Sequence, residues 1–125
     1  MKALCVSIKK LLKDGSYEGL SIGKEYTVLA IEFYDSTTMF SQSIGDFTLY
    51  RIRGDDGFIL PFPAKLFEVT DSEISSSWVA FREQDGCFSL LPQKWAKTSF
   101  WNDYYNDDEV AYQDLKIEEH NMLNN

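Results

Sequence analysis

The chain has 125 residues, of which 44% are hydrophobic and 15% are aromatic. This is enough apolar material for the core of one ordinary domain, and it argues against disorder over the whole length. The formal net charge of −8 argues against direct binding of nucleic acid, because phosphate contacts need Lys and Arg, and it leaves a basic protein as a suitable partner.

The first predicted strands are separated by a turn. Lys2–Ile8 alternates apolar residues and predicts a strand, and Asp14-Gly15 marks a loop after it. Lys24–Tyr34 predicts one long strand whose far end is apolar on both faces, so that both faces must be covered there. Asp35–Asp46 is polar and predicts a flexible loop, long enough for a functional role to be considered.

A β-hairpin is the clearest element of the sequence. Two β-rich runs, FTLYRIR and FILPF, flank Asp56-Gly57, a residue pair that tolerates the positive φ angles of a tight turn. A metal site at Asp55 and Asp56 is the alternative interpretation. The turn is favoured, because no third oxygen-rich cluster lies nearby in the sequence.

Two prolines and a short strand follow the hairpin. Pro61 and Pro63 cannot donate to a ladder, so they end the second hairpin strand or lie on a sheet edge. Leu66–Val69 predicts the last of five short strands. The stretches GLSIGKEYTVLAI, YRIRGDDGFILPF and PAKLFEV together resemble a small bacterial Src-homology-3-like barrel over about residues 1–70. The peptide-binding members of that family use a tryptophan cluster, and the first tryptophan here is Trp78, so binding of proline-rich peptides is not expected.

A second hairpin and a helical segment complete the prediction. Residues 75–92 contain two stretches with strand-like alternation on either side of a turn at Asp85-Gly86. This pattern predicts a hairpin that extends the barrel or packs on it. Residues 99–121 predict a helical segment. A helix start is expected at Asn106-Asp107-Asp108-Glu109, where Asn106 is the capping residue and Glu109 follows three places later. The buried stripe of that helix is expected to consist of Val110, Ala111, Leu115 and Met122, and the final residues are expected to fray. The whole chain is therefore expected to be one α+β domain.

The cysteines and the first residues indicate a cytoplasmic protein. Lys9 and Lys10 interrupt any apolar run near the first residue, and neither a signal peptide nor a membrane span is expected. Cys5 and Cys87 are therefore expected to be reduced, buried thiols.

Residues typical of catalysis are scarce. The one histidine, His120, lies near the end of the chain, where a solvated side chain is expected. The serines and cysteines lack a partner at a suggestive spacing, and neither a glycine-rich phosphate loop nor a Cys/His metal spacing occurs. A pair of catalytic carboxylates stays open, because acids are numerous. We expect a protein that is not an enzyme and that has no cofactor and no metal.

The charge is concentrated in the second half of the chain. Residues 1–62 carry seven basic and eight acidic side chains, whereas residues 63–125 carry five and twelve. From Ser99 onward seven acids face one lysine, and aromatic residues lie among them. One interpretation is a surface helix with solvated acids. The other is a binding surface, because these aromatics are more than one helix stripe needs; its candidate residues are Asp103, Tyr104, Tyr105, Asp107, Asp108 and Glu109.

The second half of the chain also resembles a family. SSWVAF, DGCFSLLPQKW and FWNDYYNDDEVAYQDL are similar to the C-terminal part of small bacterial immunity proteins that accompany polymorphic or contact-dependent toxins. The resemblance implies a stoichiometric inhibitor of a cognate toxin, often a nuclease, and implies no catalytic residue. The alternative that stays open is a non-catalytic regulatory or adaptor module of a bacterial or phage system, which would bind through the barrel face.

Overall fold

The fold was obtained as a computed structural model that describes residues 1–83 and 86–124. These residues form a mixed α+β fold with two antiparallel sheets and three helices. The strands are β1 (Lys2–Cys5), β2 (Glu25–Thr27), β3 (Ala30–Tyr34), β4 (Thr48–Arg53), β5 (Ile59–Pro63), β6 (Phe67–Asp71), β7 (Trp78–Arg82) and β8 (Cys87–Pro92). The helices are α1 (Met39–Ile44), α2 (Phe100–Tyr105) and α3 (Glu109–Leu123), and 3-10 turns occupy Ala64–Leu66 and Gln93–Trp95.

The predicted strand over Lys24–Tyr34 is two strands in two different sheets. One sheet has the order β2-β1-β6, and the other has the order β5-β4-β3-β8-β7. The chain crosses between them at Val28 and Leu29, whose side chains enter two different hydrophobic clusters. The expectation that both faces are covered is therefore confirmed, and the expectation of one continuous strand was wrong. The described strands form these two open sheets and no closed barrel.

The β4–β5 hairpin is confirmed, and its turn is fixed by an acid. Gly57 has a φ of 88°, as the predicted turn requires. Asp55 accepts hydrogen bonds from Lys24 Nζ (2.6 Å) and Ser21 Oγ (2.6 Å), which tie the turn to the β1–β2 connection. Pro61 and Pro63 lie in β5, an edge strand, where their missing N–H groups cost no ladder bond to a second neighbour.

Two other predictions for the first half were wrong in their bounds. The first strand ends at Cys5 rather than at Ile8. The predicted loop over Asp35–Asp46 contains helix α1, which is capped by the Thr38 side chain at its start and by Gly45, with a φ of 84°, at its end. The helix is six residues long and carries polar residues between its apolar ones, so no sequence periodicity revealed it.

The second predicted hairpin, β7–β8, extends the five-stranded sheet. Strand β8 pairs with β3, with Ile31 opposite Leu90 and Tyr34 opposite Cys87. Of the predicted turn, Gly86 has a φ of 73°, and Asp85 lies outside the described residues. The hairpin is therefore confirmed, and it extends the five-stranded sheet rather than a closed barrel.

The five-stranded sheet has a hydrophobic cluster on each face. The first cluster lies between the two sheets and includes Ile31, Ile52 and Trp78. The second lies between the sheet and the helices α2 and α3, and its member Trp95 is fully buried. The indole of Trp95 donates to the backbone oxygen of Asp114 (3.0 Å), which fixes α3 over the sheet.

The helical segment begins near Ser99, as expected, since α2 starts at Phe100, but it extends beyond the expected end and its second helix starts later than expected. Asp108, rather than Asn106, caps α3, because its Oδ2 accepts from Ala111 N–H (3.0 Å). Ala111 and Leu115 are buried and Met122 is half-buried, as expected, but Val110 is 62% exposed and points away from the core. The helix continues to Leu123, so the part from His120 to Leu123, where fraying was expected, is helical. Among the described residues, no helix combines the length and the apolar character that crossing a bilayer requires.

Candidate functional site: the acidic helical surface

The aromatic residues of α2 divide between the core and the surface. Phe100 and Trp101 are buried in the second hydrophobic cluster, where both rings contact Trp95. Tyr104 and Tyr105 lie one turn further along, and each keeps part of its ring in solvent. We define the acidic helical surface as Asp103–Glu109, the end of α2 and the start of α3.

A buried ion pair lies beneath this surface. Arg51 of β4 donates through Nε to Glu32 Oε2 of β3 at 2.9 Å, and the two residues are 9% and 1% exposed. The guanidinium lies 4.2 Å from the centre of the Trp101 ring, within the range of a cation–π contact. Nothing in the sequence indicated a role for Arg51, but in the structure it links the sheet to α2.

Tyr105 completes that link. Its hydroxyl accepts from Arg51 Nη1 at 2.7 Å and donates to the backbone oxygen of Ile59 at 2.6 Å. Burial raises the pKa of the Tyr105 phenol, an effect that the charge of Arg51 opposes. The hydroxyl therefore keeps its proton at neutral pH and can make both bonds. One edge of Tyr105 is fixed to the sheet while the rest of the ring stays accessible.

A second arginine joins the sheet to α3. Arg53 donates through Nε and Nη2 to the two carboxylate oxygens of Glu119, at 2.8 and 2.7 Å. These hydrogen bonds raise the pKa of the Arg53 guanidinium above its ordinary value. A bidentate arginine–carboxylate pair fixes both distance and orientation, so α2 and α3 each have their own attachment to β4.

Several acids of the segment have a local structural role. Asp103 accepts from Ser99 Oγ (3.0 Å), and Asp114 lies 3.8 Å from Lys97 Nζ. Asp108 caps α3 and Glu119 pairs with Arg53, so four of the seven acids after Ser99 have a partner. A fifth acid, Glu118, is buried. Within residues 1–83 and 86–124, Asp107 and Glu109 are the exposed acids of this segment whose side chains have no hydrogen-bond or ion-pair partner.

The geometry of the α2–α3 connection presents these two acids to solvent. Asp107 has a φ of 61°, the left-handed conformation that Asp adopts more readily than most residues, and this turns the chain sharply into α3. Glu109 follows in the first turn of α3, where the positive end of the helix dipole favours a carboxylate. All six predicted binding residues lie at the end of α2, in the connection or at the start of α3, and each is at least partly exposed. Asp103, Tyr105 and Asp108 also make hydrogen bonds that stabilise the fold.

The polar side chains of Tyr34 and Cys87 next to the ion pair were not predicted. Tyr34 and Cys87 lie beside Glu32, and burial raises the pKa of Cys87 to about 12. Burial and the charge of Glu32 also raise the pKa of Glu83. A thiol with so high a pKa is protonated at neutral pH and is a poor nucleophile. The one signal in the sequence was Glu32 itself, a carboxylate inside an apolar strand, which needs a buried partner.

The single histidine is exposed in the last turn of α3, and its nearest polar partner is the side-chain amide of Asn124, 3.3 Å from Nδ1. This confirms the expectation of a solvated side chain at His120.

Comparison of the chain with family models, with curated proteins and with solved structures finds no significant match in any of the three.

Proposed function

We propose that this protein is an immunity protein, which binds a cognate basic toxin of the nuclease type and covers its substrate cleft with the acidic helical surface. The observation that carries the proposal is that Asp107 and Glu109, exposed and without a side-chain partner among the described residues, follow the partly exposed rings of Tyr104 and Tyr105 in the chain. A nuclease cleft is basic because it receives phosphates, so an acidic, aromatic surface has the complementary chemistry.

The attachment of this surface to the sheet supports the proposal. Arg51 holds Tyr105, and Arg53 holds Glu119, so both helices are fixed before any partner arrives. A surface that is already ordered loses less conformational entropy on binding, which favours high affinity.

The charge distribution also supports the proposal. Residues 63–125 have twelve acidic and five basic side chains, and the residues after Ser99 contain seven of these acids. Opposite charges on two partners raise the association rate, up to about 10⁸–10⁹ M⁻¹s⁻¹ at low salt. Speed matters for an inhibitor that must reach a toxin before the toxin reaches its substrate.

The Src-homology-3-like relationship of residues 1–70 is part of the same proposal. It is supported by the way the chain leaves the first sheet after β2 and enters the second at β3, since strands that switch sheets form the corners of small barrel-like sandwiches.

A cytoplasmic location also belongs to the proposal, and the two buried free thiols Cys5 and Cys87 support it.

The test needs a partner, and the neighbouring gene supplies the candidate. If that gene encodes a large secreted protein with a short toxic C-terminal domain, the domain is produced with this protein and binding is measured by stopped flow and surface plasmon resonance. The acid variant is Asp107→Asn with Glu109→Gln. Its control is Asp14→Asn with Glu18→Gln, which changes the net charge equally at exposed positions in the β1–β2 connection.

The two variants are expected to differ in association. The acid variant should associate more slowly and with a weaker dependence on salt, while the control associates as the parent does. A separate Tyr104→Ala variant, first shown to be folded, should dissociate faster, with a loss of about 2 kcal/mol or more if Tyr104 is an anchor.

Equal binding by the acid variant, the Tyr104→Ala variant and the parent, with equal survival of cells exposed to the toxin, would refute the proposed surface. The binding face would then have to be sought on Asp35–Asp46, where Met39 and Phe40 are exposed, as the regulatory or adaptor alternative requires.

A further inference from the structure

The free edge of the β7–β8 hairpin is the least protected edge of the five-stranded sheet. Strand β7 lies at the end of the sheet order and, among the described residues, pairs only with β8. Its sequence, WVAFR, has no proline and a single charge, at Arg82. Proteins usually protect an edge strand against pairing with another chain by prolines, charges or bulges.

The opposite edge shows this protection. Strand β5 carries Pro61 and Pro63, which have no N–H to offer to a further strand. The outer strands of the small sheet are short or charged: β2 has three residues, and β6 contains Glu68 and Asp71. The contrast singles out β7 as the edge that is available for pairing.

The hydrogen bonds of the hairpin define which groups of β7 point outward. Glu83 N–H donates to Cys87 O at 2.8 Å, and Gln93 N–H donates to Ser77 O at 2.9 Å. Because bonded and non-bonded pairs alternate in an antiparallel ladder, Val79 and Phe81 also bond to β8, and the backbone groups of Ala80 and Arg82 face outward. Ala80 and Arg82 are also exposed, and among the described residues none outside the hairpin hydrogen-bonds to their backbone groups.

We propose that β7 pairs in antiparallel fashion with β7 of a second copy of this chain, about a twofold axis at Ala80, so that two five-stranded sheets become one. The strand is self-complementary in this register. Ala80 faces its own copy and exchanges two hydrogen bonds with it, and Arg82 N–H donates to the outward backbone oxygen of Trp78 on each side, about four bonds in total.

The side chains fit the same register. On one face, Val79 lies opposite Phe81 of the second copy, and both side chains are half-buried and apolar. On the other face, Arg82 lies opposite Trp78 rather than opposite a second Arg82, so like charges do not meet. This pairing leaves Asp103–Glu109 out of the interface, so the inference does not depend on the proposed function.

The test is the mass of the full chain in solution, measured by sedimentation equilibrium from low to high micromolar concentration. Moderate salt is used, to screen the repulsion between two chains of net charge −8. The expected result is a mass that rises toward twice the 14.4 kDa of one chain.

Two variants at Ala80 and one control define the interface. Ala80→Pro removes an N–H that points away from β8, so the hairpin keeps its own bonds, while the dimer loses two bonds and should weaken about tenfold or more. Ala80→Lys places like charges opposite each other and should weaken the dimer even if the proline variant does not fold. The control is Leu60→Lys on the protected edge, where the side chain is also exposed, and its mass should match that of the parent.

A parent chain that stays monomeric over the whole concentration range would overturn the inference, and the edge would then be free for a strand of another protein. A dimer that Ala80→Lys leaves as tight as the parent's would overturn it as well, because the interface would lie elsewhere.

Discussion

Replacement of Arg51 by Met should destabilise the fold more than a change at any exposed arginine. The substitution keeps a flexible apolar stem of similar length and removes the charge. Glu32, which is 1% exposed, then keeps a buried carboxylate without its partner at 2.9 Å. Breaking a buried ion pair in this way typically costs about 3–5 kcal/mol.

Two further contacts are lost with the guanidinium. The contact with the Trp101 ring at 4.2 Å is worth up to about 2 kcal/mol when desolvated. The hydrogen bond to Tyr105 is also lost. These contributions are not additive within one cluster, so we expect a total of about 3–5 kcal/mol, a large part of the roughly 5–15 kcal/mol by which a domain is stable.

The assay is urea unfolding followed by tryptophan fluorescence and by circular dichroism. With a slope of about 2 kcal/mol per molar urea, a loss of about 4 kcal/mol moves the midpoint by about 2 M. The matched control is Arg53→Met, which breaks the more exposed pair with Glu119 and should cost less, because solvent screens that pair. The double variant Glu32→Gln with Arg51→Met removes the orphan charge and should recover part of the loss.

An Arg51→Met variant within about 1 kcal/mol of the parent would refute the reasoning, since an unpaired buried charge must cost more than that. The same conclusion would follow if the double variant were as unstable as the sum of the two single variants, because the two side chains would then not interact.

Two further predictions concern Asp55 and the cysteines. Hydrogen bonds from Lys24 and Ser21 hold the pKa of Asp55 in the folded protein below its ordinary 3.8. The ionised Asp55 therefore stabilises the fold above pH 3.8, and this stabilisation is lost as the pH falls through the lower pKa of the folded state. Asp55→Asn should therefore be less stable than the parent at pH 7 by urea unfolding, and the difference should shrink below pH 3.8; a constant difference would contradict this. Burial protects both thiols and raises the pKa of Cys87 to about 12, so a thiol reagent at pH 8 should react slowly with the native protein. After unfolding without reductant, the same reagent should titrate two thiols. Titration of no thiols in the unfolded protein would indicate a disulfide.

The sequence by itself determined the elements whose signals are local. The β4–β5 hairpin follows from alternating residues around Asp56-Gly57, and the β7–β8 hairpin follows from the same kind of pattern. The burial of Ala111 and Leu115 follows from helical spacing within a few residues. Each of these signals depends on neighbours in the chain, so no tertiary contact is needed to read it.

The tertiary structure alone decided which residues meet across the fold. The break at Val28 and Leu29 depends on two hydrophobic clusters that different parts of the chain complete. The same is true of Arg51, whose partners Glu32 and Tyr105 lie 19 and 54 residues away, distances over which no periodicity carries information.

The candidate surface was predictable in its position and not in its detail. The run of acids and aromatics after Ser99 marked the segment, because composition is visible in one dimension. Which acids have a partner was decided by folding: Asp108 caps a helix and Glu119 reaches Arg53, while among the described residues Asp107 and Glu109 have none. A carboxylate has the same formal charge in all four places, and only its neighbours in space determine whether it stabilises the fold or stays available to a partner.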